Sequence, residues 1–434
     1  MTKGRSVLQN SAWLSAERLV VYFAGFLSSL FTARYLGPAN FGEFSLSTSI
    51  VAMASGFAIL GFDRIVLSEL ADHPKEKGEI LGTYLGLRVL GGFVAILLAS
   101  IITLRLASGG EGRLLVVLLI AVGGLFNSLT SVDLAFLFEL KSEQLVKSKM
   151  LLSTVGAFSK VLAVVISPKV TILAGVVLFE SLLIGVVSIL MFHRVHASSG
   201  RLAFRSKLAL KYLFVGWPLL LALLLELAIQ KGFSLIIAPY LSVEDYGQLM
   251  LAMKMVEIPT IILTAVAASI MPHLLLLRNQ GGNAFWRFIE EVTQWATAAG
   301  ILGQLLVSLL GAPAVRFFFG SPYYVAGELV AWLWPALFFQ LSAIVRANLL
   351  VISGSQWLLT VANLLGGLVL LPMVILLLPK YGVLGAAISF VGMNFMIYIL
   401  SGVGSASGRQ LLRVQASALR LARVFAFTRR AMWS

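Results

Sequence analysis

The chain has 434 residues, of which 59% are hydrophobic and 12% charged, and its formal net charge at pH 7 is +14. Soluble domains are about 45–50% apolar and about 25% charged, so this composition excludes a soluble protein of this length. A helix that spans a bilayer requires about 20 predominantly apolar residues. The chain has no cysteine, which excludes disulfides and thiolate metal sites.

Long apolar runs follow one another along the chain, separated by glycine, proline or clusters of charge. The first run follows Lys3 and Arg5, as in a signal peptide, but its length and the lack of a small-residue cleavage pattern predict a retained helix. The runs are continuous rather than alternating, which excludes a transmembrane β-barrel. The sequence therefore predicts an all-α integral membrane protein with about twelve transmembrane helices, at residues 12–35, 42–62, 80–104, 114–137, 147–167, 170–192, 209–238, 246–270, 293–311, 325–350, 356–378 and 382–403.

The lysines and arginines are concentrated on alternate connections between these helices. The segment 193–211 and the tail after residue 408 are the richest, whereas the connections on the other side carry few cations. Cytoplasmic loops of membrane proteins carry the excess of Lys and Arg. This asymmetry predicts that both termini are cytoplasmic, and it attributes the net charge to orientation rather than to nucleic-acid binding.

Segments of the first half recur in order in the second half. The aligned pairs are residues 30–42 with 235–247, 149–153 with 356–360, and 168–169 with 379–380. Matched helices have the same topology, which is typical of a parallel repeat about an axis along the membrane normal. The repeat predicts two six-helix lobes, an N-terminal lobe at 1–200 and a C-terminal lobe at 201–407, with alternating access to a cavity between them.

Proline use differs between the two predicted lobes. Pro218, Pro259, Pro335 and Pro372 fall inside helices of the second half, whereas Pro38, Pro74 and Pro168 fall in connections. Proline frees a backbone carbonyl and bends a helix, so the second lobe is the candidate to deform. Static kinks that only shape packing are the alternative.

The tail at 408–434 is a predicted basic amphipathic helix. Its apolar face carries Leu411, Val414, Ala418, Leu421 and Phe425, and Arg409, Arg413, Arg420 and Arg423 lie on the opposite face. Such a helix is suited to the interface of an anionic inner leaflet. A partner protein or a nucleic acid is the alternative occupant.

Ionisable side chains inside the spans are the candidate functional residues, because each costs about 2.5–3.5 kcal/mol at the bilayer centre on insertion scales. They are Glu17, Arg18, Arg88, Asp133, Lys160, Glu180, Glu226, Lys231, Lys254 and Glu257. The helices that carry Glu17, Arg18, Glu226, Lys231, Lys254 and Glu257 are expected to line the interface between the lobes, which makes these six residues the predicted central constellation.

Two roles follow from the charges. Arg18, Arg88, Lys231 and Lys254 are predicted to bind a phosphate or pyrophosphate head group, and Glu17, Glu226 and Glu257 are predicted to couple transport to an ion. Snorkelling to the cytoplasmic side is the alternative for Arg18 and Arg88, and a structural role is favoured for Asp133.

Motifs of soluble and membrane enzymes are missing from the sequence. It has no Walker-type glycine loop, no Gly-x-Ser-x-Gly and no His-Glu-x-x-His. His193 and His196 share a helix face, but two ligands make a poor metal site. Glu244 and Asp245, a candidate metal site in a membrane glycosyltransferase, are interpreted as a turn. We predict a protein that is not an enzyme, with no catalytic residue, cofactor or metal.

Several segments resemble the polysaccharide transporter and O-antigen flippase family of the multidrug/oligosaccharidyl-lipid/polysaccharide exporter superfamily. They are ARYLGPANFG at 33–42, GFDR at 61–64 before Glu69, FFFGSPYY at 317–324 and YGVLGAA at 381–387. In one departure, Phe233 and Ser234 stand where members often carry an Asp followed by a basic residue. Roles assigned to that pair therefore do not carry over to this chain.

The resemblance implies two six-helix lobes in a V and a cationic lumen, often with ion antiport. It further implies translocation of an undecaprenyl-pyrophosphate-linked oligosaccharide across the bacterial inner membrane, with other membrane proteins of polysaccharide assembly as candidate partners. Two alternatives stay open: a drug or organic-cation exporter of the same superfamily, and an integral-membrane glycosyltransferase or polymerase. The short outer loops disfavour the enzyme.

Overall fold

The computed structural model describes residues 2–106, 110–195, 201–280, 282–352, 355 and 357–418. Within these ranges the chain is helical with short 3₁₀ turns and contains no strand. The helices are α1 (Thr2–Ala54), α2 (Gly56–Ile59), α3 (Asp63–Asp72), α4 (Lys77–Arg105), α5 (Gly110–Asn127), α6 (Leu134–Phe138), α7 (Glu143–Ile166), α8 (Val170–Val195), α9 (Ser206–Ile237), α10 (Val243–Gln280), α11 (Gly282–Phe319), α12 (Tyr324–Ile352), α13 (Trp357–Val403) and α14 (Ala406–Ala418).

Eight helical segments of the described chain are long and apolar enough to cross a membrane. They are Ala12–Ala54, Pro74–Arg105, Glu111–Phe138, Glu143–Ile166, Val170–Val195, Ser206–Tyr240, Ala284–Phe319 and Trp357–Val403. The predicted eighth and tenth spans fall on α10 and α12. The prediction of an all-α integral membrane protein is confirmed.

Two of the long helices each contain two predicted spans on either side of a break. In α1 the backbone leaves helical geometry at Gly37, with φ 74°, and in α13 it does so at Gly382, with φ 55°. Both values lie in the left-handed region that glycine enters without steric cost. Pro38 follows the first break directly and suits the first turn of the helical part that comes after it.

Two spans differ from their predicted extents. The span predicted at 42–62 ends earlier, because α1 stops at Ala54 and α2 is followed by positive φ angles at Leu60 and Gly61. The span predicted at 114–137 changes to a 3₁₀ segment, Ser128–Asp133. In that stretch the Ser128 hydroxyl donates to the carbonyl of Arg88 at 3.1 Å. Small polar side chains of this kind compete with the helical backbone for hydrogen bonds.

By its internal contacts the chain divides into two compact units, unit 1 at Met1–Pro239 and unit 2 at Tyr240–Ser434. The core of unit 1 joins Phe62, Tyr84, Phe136, Phe192 and Tyr212, all fully buried. Tyr212 brings α9 into this core, although the repeat assigned that helix to the second lobe. The lobe boundaries at residues 200 and 407 stay predictions.

The segment before α9 lies along the start of α4. The amide of Ala203 donates to the carbonyl of Gly78 at 3.3 Å, and the amide of Arg205 donates to the Thr83 hydroxyl at 3.0 Å. The Arg205 guanidinium also pairs with Glu76 at 2.8 Å and Glu79 at 3.0 Å. These contacts fix residues 201–205 to unit 1.

The two copies of the repeated turn bury matching side chains. Phe41 and its counterpart Tyr246 are both buried. At the second copy the Asp245 amide donates to the Ser242 hydroxyl at 3.0 Å, and that hydroxyl donates to the Asp245 carboxylate at 2.8 Å. This pattern caps the start of a helix, and Glu244 and Asp245, interpreted from the sequence as a turn, lie in the first turn of α10.

Candidate functional site

Five charged side chains from four parts of unit 1 form what we call the charged cluster: Glu17, Arg18, Arg88, Asp133 and Lys149. The Lys149 ammonium on α7 forms an ion pair with the Asp133 carboxylate, and both side chains are mostly buried. Lys149, Asp133 and Arg18 lie within electrostatic range of Glu17, and Lys149 and Arg88 lie within electrostatic range of Asp133. The cluster therefore joins α1, α4, α7 and the 3₁₀ segment before α6.

Arg88 is held at the edge of the charged cluster by uncharged groups. Its Nε donates to the carbonyl of Ala58 at 3.0 Å, and its guanidinium lies 5.8 Å from the ring centroid of Tyr84. The Tyr84 hydroxyl donates to the Asp63 carboxylate at 2.6 Å. Asp63 belongs to the GFDR segment, so this part of the family resemblance is connected to the position of Arg88.

The charged cluster contains more cations than carboxylates. Lys149 neutralises Asp133, which leaves Arg18 and Arg88 with Glu17 as the remaining carboxylate. Arg18 is exposed and Arg88 and Glu17 are half-buried. A site with excess cationic charge and guanidinium donors suits a phosphate group, and a carboxylate beside it suits exchange of a proton or cation.

A second ion pair lies between α7 and α8. Lys160 Nζ and Glu180 Oε2 are 2.5 Å apart, and both side chains are largely buried. Glu180 also lines a cavity of about 50 Å³ with Gly156 and Ser159. A Cβ atom on Gly156 would lie 2.4 Å from the carboxyl carbon of Glu180, so the missing side chain makes room for this pair.

The remaining predicted site residues lie on α9 and α10. Glu226 is exposed and accepts a hydrogen bond from Gln230 Nε2 at 3.1 Å, and Lys231 is half-buried. Both belong to unit 1, whereas half-buried Lys254 and exposed Glu257 belong to unit 2. Glu17, with Arg18 near it, and Arg88 lie around the Lys149–Asp133 ion pair. The assembly of all six predicted central residues stays a prediction.

Sequence reasoning missed two charged residues. Lys149 lies at the start of the predicted span 147–167 and was not among the candidate residues, yet it supplies the cation of the charged cluster that pairs with Asp133. Arg346 lies within the predicted span 325–350 and was not a candidate either, and it is fully buried within α12. The sequence around Lys149 does not indicate a partner on another helix. Contacts between individual side chains of distant helices therefore cannot be predicted from the sequence pattern.

Within the described residues no group of three or more His, Cys, Asp or Glu side chains is arranged to hold a metal ion. His193 is exposed at the end of α8, and His196, its predicted neighbour on the helix face, lies outside the described residues.

Comparison with known sequences and structures identifies the family. Residues 7–275 match the family described as "Polysaccharide biosynthesis protein". Among curated protein sequences none matches this chain.

Three solved structures have similar folds at low sequence identity. A lipid II flippase, MurJ, in an inward closed conformation aligns with TM-score 0.70 and 14% identity over 96% of this chain and 92% of that one. A multidrug resistance MATE family transporter of the MOP superfamily aligns with TM-score 0.67 and 13% identity over 94% and 98%. A MOP superfamily transporter from Pyrococcus furiosus aligns with TM-score 0.56 and 15% identity over 94% and 96%.

These similarities cover nearly the whole chain, and MOP-superfamily transporters have twelve helices in two lobes. The predicted fold class and the resemblance found in the sequence are both confirmed. The chain belongs to the polysaccharide biosynthesis protein family and has the fold of the MOP-superfamily transporters.

Proposed function

We propose that this protein translocates an undecaprenyl-pyrophosphate-linked oligosaccharide across the bacterial inner membrane by alternating access, for the assembly of O-antigen, capsule or exopolysaccharide. The observation that carries the proposal is the match of residues 7–275 to the polysaccharide biosynthesis family. The similarity of the fold to a lipid II flippase supports a lipid-linked substrate.

The charged cluster supports specific roles in this reaction. Arg18 and Arg88 would bind the pyrophosphate, and Glu17 would couple the cycle to an ion, because it is a half-buried carboxylate near the Lys149–Asp133 ion pair. Lys231 and Lys254 as further substrate contacts, and Glu226 and Glu257 as further coupling groups, complete the proposed site.

A gene deletion tests the function. We expect the deletion strain to accumulate lipid-linked repeat units and to lose surface polymer, and the wild-type gene to restore the polymer. Arg88→Gln should restore it several-fold less well at equal protein level, because a phosphate contact is lost. Arg105→Gln is the matched control, since Arg105 is exposed at the end of the same helix.

Other outcomes of the deletion would contradict the proposal. Accumulation of free precursor sugars would favour a glycosyltransferase or polymerase. Sensitivity to cationic drugs with normal surface polymer would favour an ion-coupled drug exporter. That exporter is the second candidate, because the chain also aligns with a multidrug transporter structure at TM-score 0.67.

The orientation is part of the proposal, with both termini in the cytoplasm. The chain has no native cysteine, so single-cysteine labelling can test it directly. Ser68→Cys on α3 and Ser321→Cys in the 3₁₀ turn after α11 are both at exposed positions. We expect them to react with an impermeant reagent from opposite sides of the membrane, the first from the inside. Labelling of both from one side would contradict the topology.

We also propose that the tail contacts anionic lipid of the inner leaflet. Arg409 and Arg413 are exposed on α14 while Leu411 is buried against unit 2, which supports a basic outward face. Residues 419–434, with the other tail arginines, lie outside the described residues. Membrane proteins of polysaccharide assembly are further proposed partners.

A further inference from the structure

The short C-terminal helix α14 packs on the rest of unit 2 through apolar side chains, among them Leu411 and, at Gly402, Leu412. It lies against α11, α12 and α13. Leu411 is completely buried in a cluster with Leu274, Phe285, Ile289 and Leu349. These four residues come from α10, α11 and α12, so one leucine of α14 bridges the ends of three other helices.

The same end of unit 2 contains the largest fully buried side chain of the described chain, Arg346 on α12. Its Nη1 donates to the carbonyl of Tyr398 and to the Ser401 hydroxyl at 2.6 Å, and its Nη2 donates to Gln415 Oε1 at 3.2 Å. The guanidinium also lies 4.4 Å from the ring centroid of Tyr398. Within the described residues no carboxylate pairs with it, so neutral acceptors alone compensate this buried cation.

Gln415 is the residue of α14 that contacts Arg346, and its side-chain oxygen accepts hydrogen bonds from two donors. Its Oε1 accepts from Arg346 on α12 and from the Tyr398 hydroxyl on α13 at 2.7 Å. A buried donor that loses its acceptor bears the full cost of desolvation. Departure of α14 would therefore leave two donors, one of them charged, without an acceptor at the junction of α12 and α13.

The opposite face of α14 is exposed at Arg409, Gln410 and Arg413. On this face the Arg409 guanidinium donates to the carbonyl of Val403 at 2.9 Å. The helix has 13 residues, and an isolated helix of that length is marginal in water. Its helical structure hence depends on docking, to which Leu411, Leu412 and Gln415 contribute.

We propose that residues 406–418 form a detachable C-terminal latch. Docked, the latch completes the hydrogen bonds of Arg346 and Tyr398 and holds the ends of α12 and α13 together. Released, it unfolds, and the end of α13 at 398–403 opens with it. The docking surface is the Arg346 environment together with the Leu411 cluster, and its occupant is α14 of the same chain.

Hydrogen exchange of the full-length protein in lipid nanodiscs tests the latch. Gln415→Leu removes the shared acceptor and should speed amide exchange across 406–418 by about tenfold or more. Exchange at 398–403 should rise in parallel, because Arg346 and Tyr398 lose the same acceptor. Gln410→Leu is the matched control, since it makes the same substitution on the exposed face, and should leave both segments unchanged.

A second variant tests the opposite direction. Gln415→Glu keeps the reach of the side chain and supplies a carboxylate to the buried guanidinium, so exchange across 406–418 should slow several-fold. The latch would be overturned if Gln415→Leu left amide exchange unchanged, or if Gln410→Leu accelerated it as much as Gln415→Leu does. So would faster exchange in Gln415→Glu. Faster exchange at 406–418 alone, with 398–403 unchanged, would overturn the coupling between α14 and α13.

Discussion

The two units stabilise buried charge in different ways. In unit 1, buried cations meet carboxylates on other helices: Lys149 pairs with Asp133, and Arg113 forms a two-pronged pair with Glu43, with both N···O distances 2.7 Å. In unit 2, the buried Arg346 is surrounded by a carbonyl, a hydroxyl and an amide.

The two units should therefore lose different amounts of stability when one member of a buried interaction is removed. Removing one member of a buried ion pair leaves a full charge without compensation, at a cost of about 3–5 kcal/mol. Removing Arg346 leaves only neutral groups, and Gln415 Oε1 and the Ser401 hydroxyl keep their bonds to Tyr398 and Ile397, so the total cost should be about 1–3 kcal/mol. Removal of a single buried charge should therefore destabilise unit 1 more than unit 2. A change of protonation in unit 1 would affect the packing of several helices.

Lys149→Met should produce the largest loss of stability, about 3–5 kcal/mol, because it strands the Asp133 carboxylate. Thermal unfolding of the purified protein in detergent measures it. The double variant with Asp133→Leu removes both charges and should recover most of the loss. A single variant as stable as the wild type would break the comparison.

Arg346→Met should cost less, about 2–3 kcal/mol, because the groups that it leaves are neutral. The same melting experiment gives the value. A loss that equals or exceeds that of Lys149→Met would show that unit 2 does not differ from unit 1 in this respect.

Gly156→Ala should cost about 1–2 kcal/mol by overpacking, since the new methyl group collides with Glu180 and displaces it from Lys160. Gly175→Ala on α8 is the control, because nothing lies within 4 Å of a Cβ atom there. The control should instead gain a few tenths of a kcal/mol from helix propensity. Equal melting temperatures for the two variants would contradict a tight Glu180 site.

Arg205→Ala should have the smallest effect, below about 1 kcal/mol, because its pairs with Glu76 and Glu79 are about half exposed. The loss should shrink further at high salt, since exposed pairs are screened. Melting at two salt concentrations checks this. A large loss of stability that does not depend on salt would contradict the view that buried ion pairs stabilise unit 1 more than exposed ones.

Much of the fold was predictable because each transmembrane helix carries its own signal. Apolar length locates the spans, and the glycines at 37 and 382 mark the breaks that divide α1 and α13. The departures came where local chemistry interrupts an apolar run, as at Ser128–Asp133. There, small polar side chains donate hydrogen bonds to backbone carbonyls. The mean hydropathy of a span does not reveal such hydrogen bonds.

The charged cluster was predictable only in part. Glu17, Arg18 and Arg88 stand out because ionisable groups are costly in a bilayer. Lys149 did not, because it sits near a span end where lysine is ordinary. Its partner Asp133 lies on a different helix, and only packing reveals that the two meet.

The sequence by itself determined the class of protein, the number and order of the spans and the family resemblance. These follow from local composition and from glycine and proline stereochemistry. Tertiary structure decided which charges pair, that α9 joins the core of unit 1, and that α14 completes the environment of Arg346. Those outcomes depend on contacts between helices distant in the chain, and the free energy of a buried charge depends on what surrounds it rather than on its sequence neighbours.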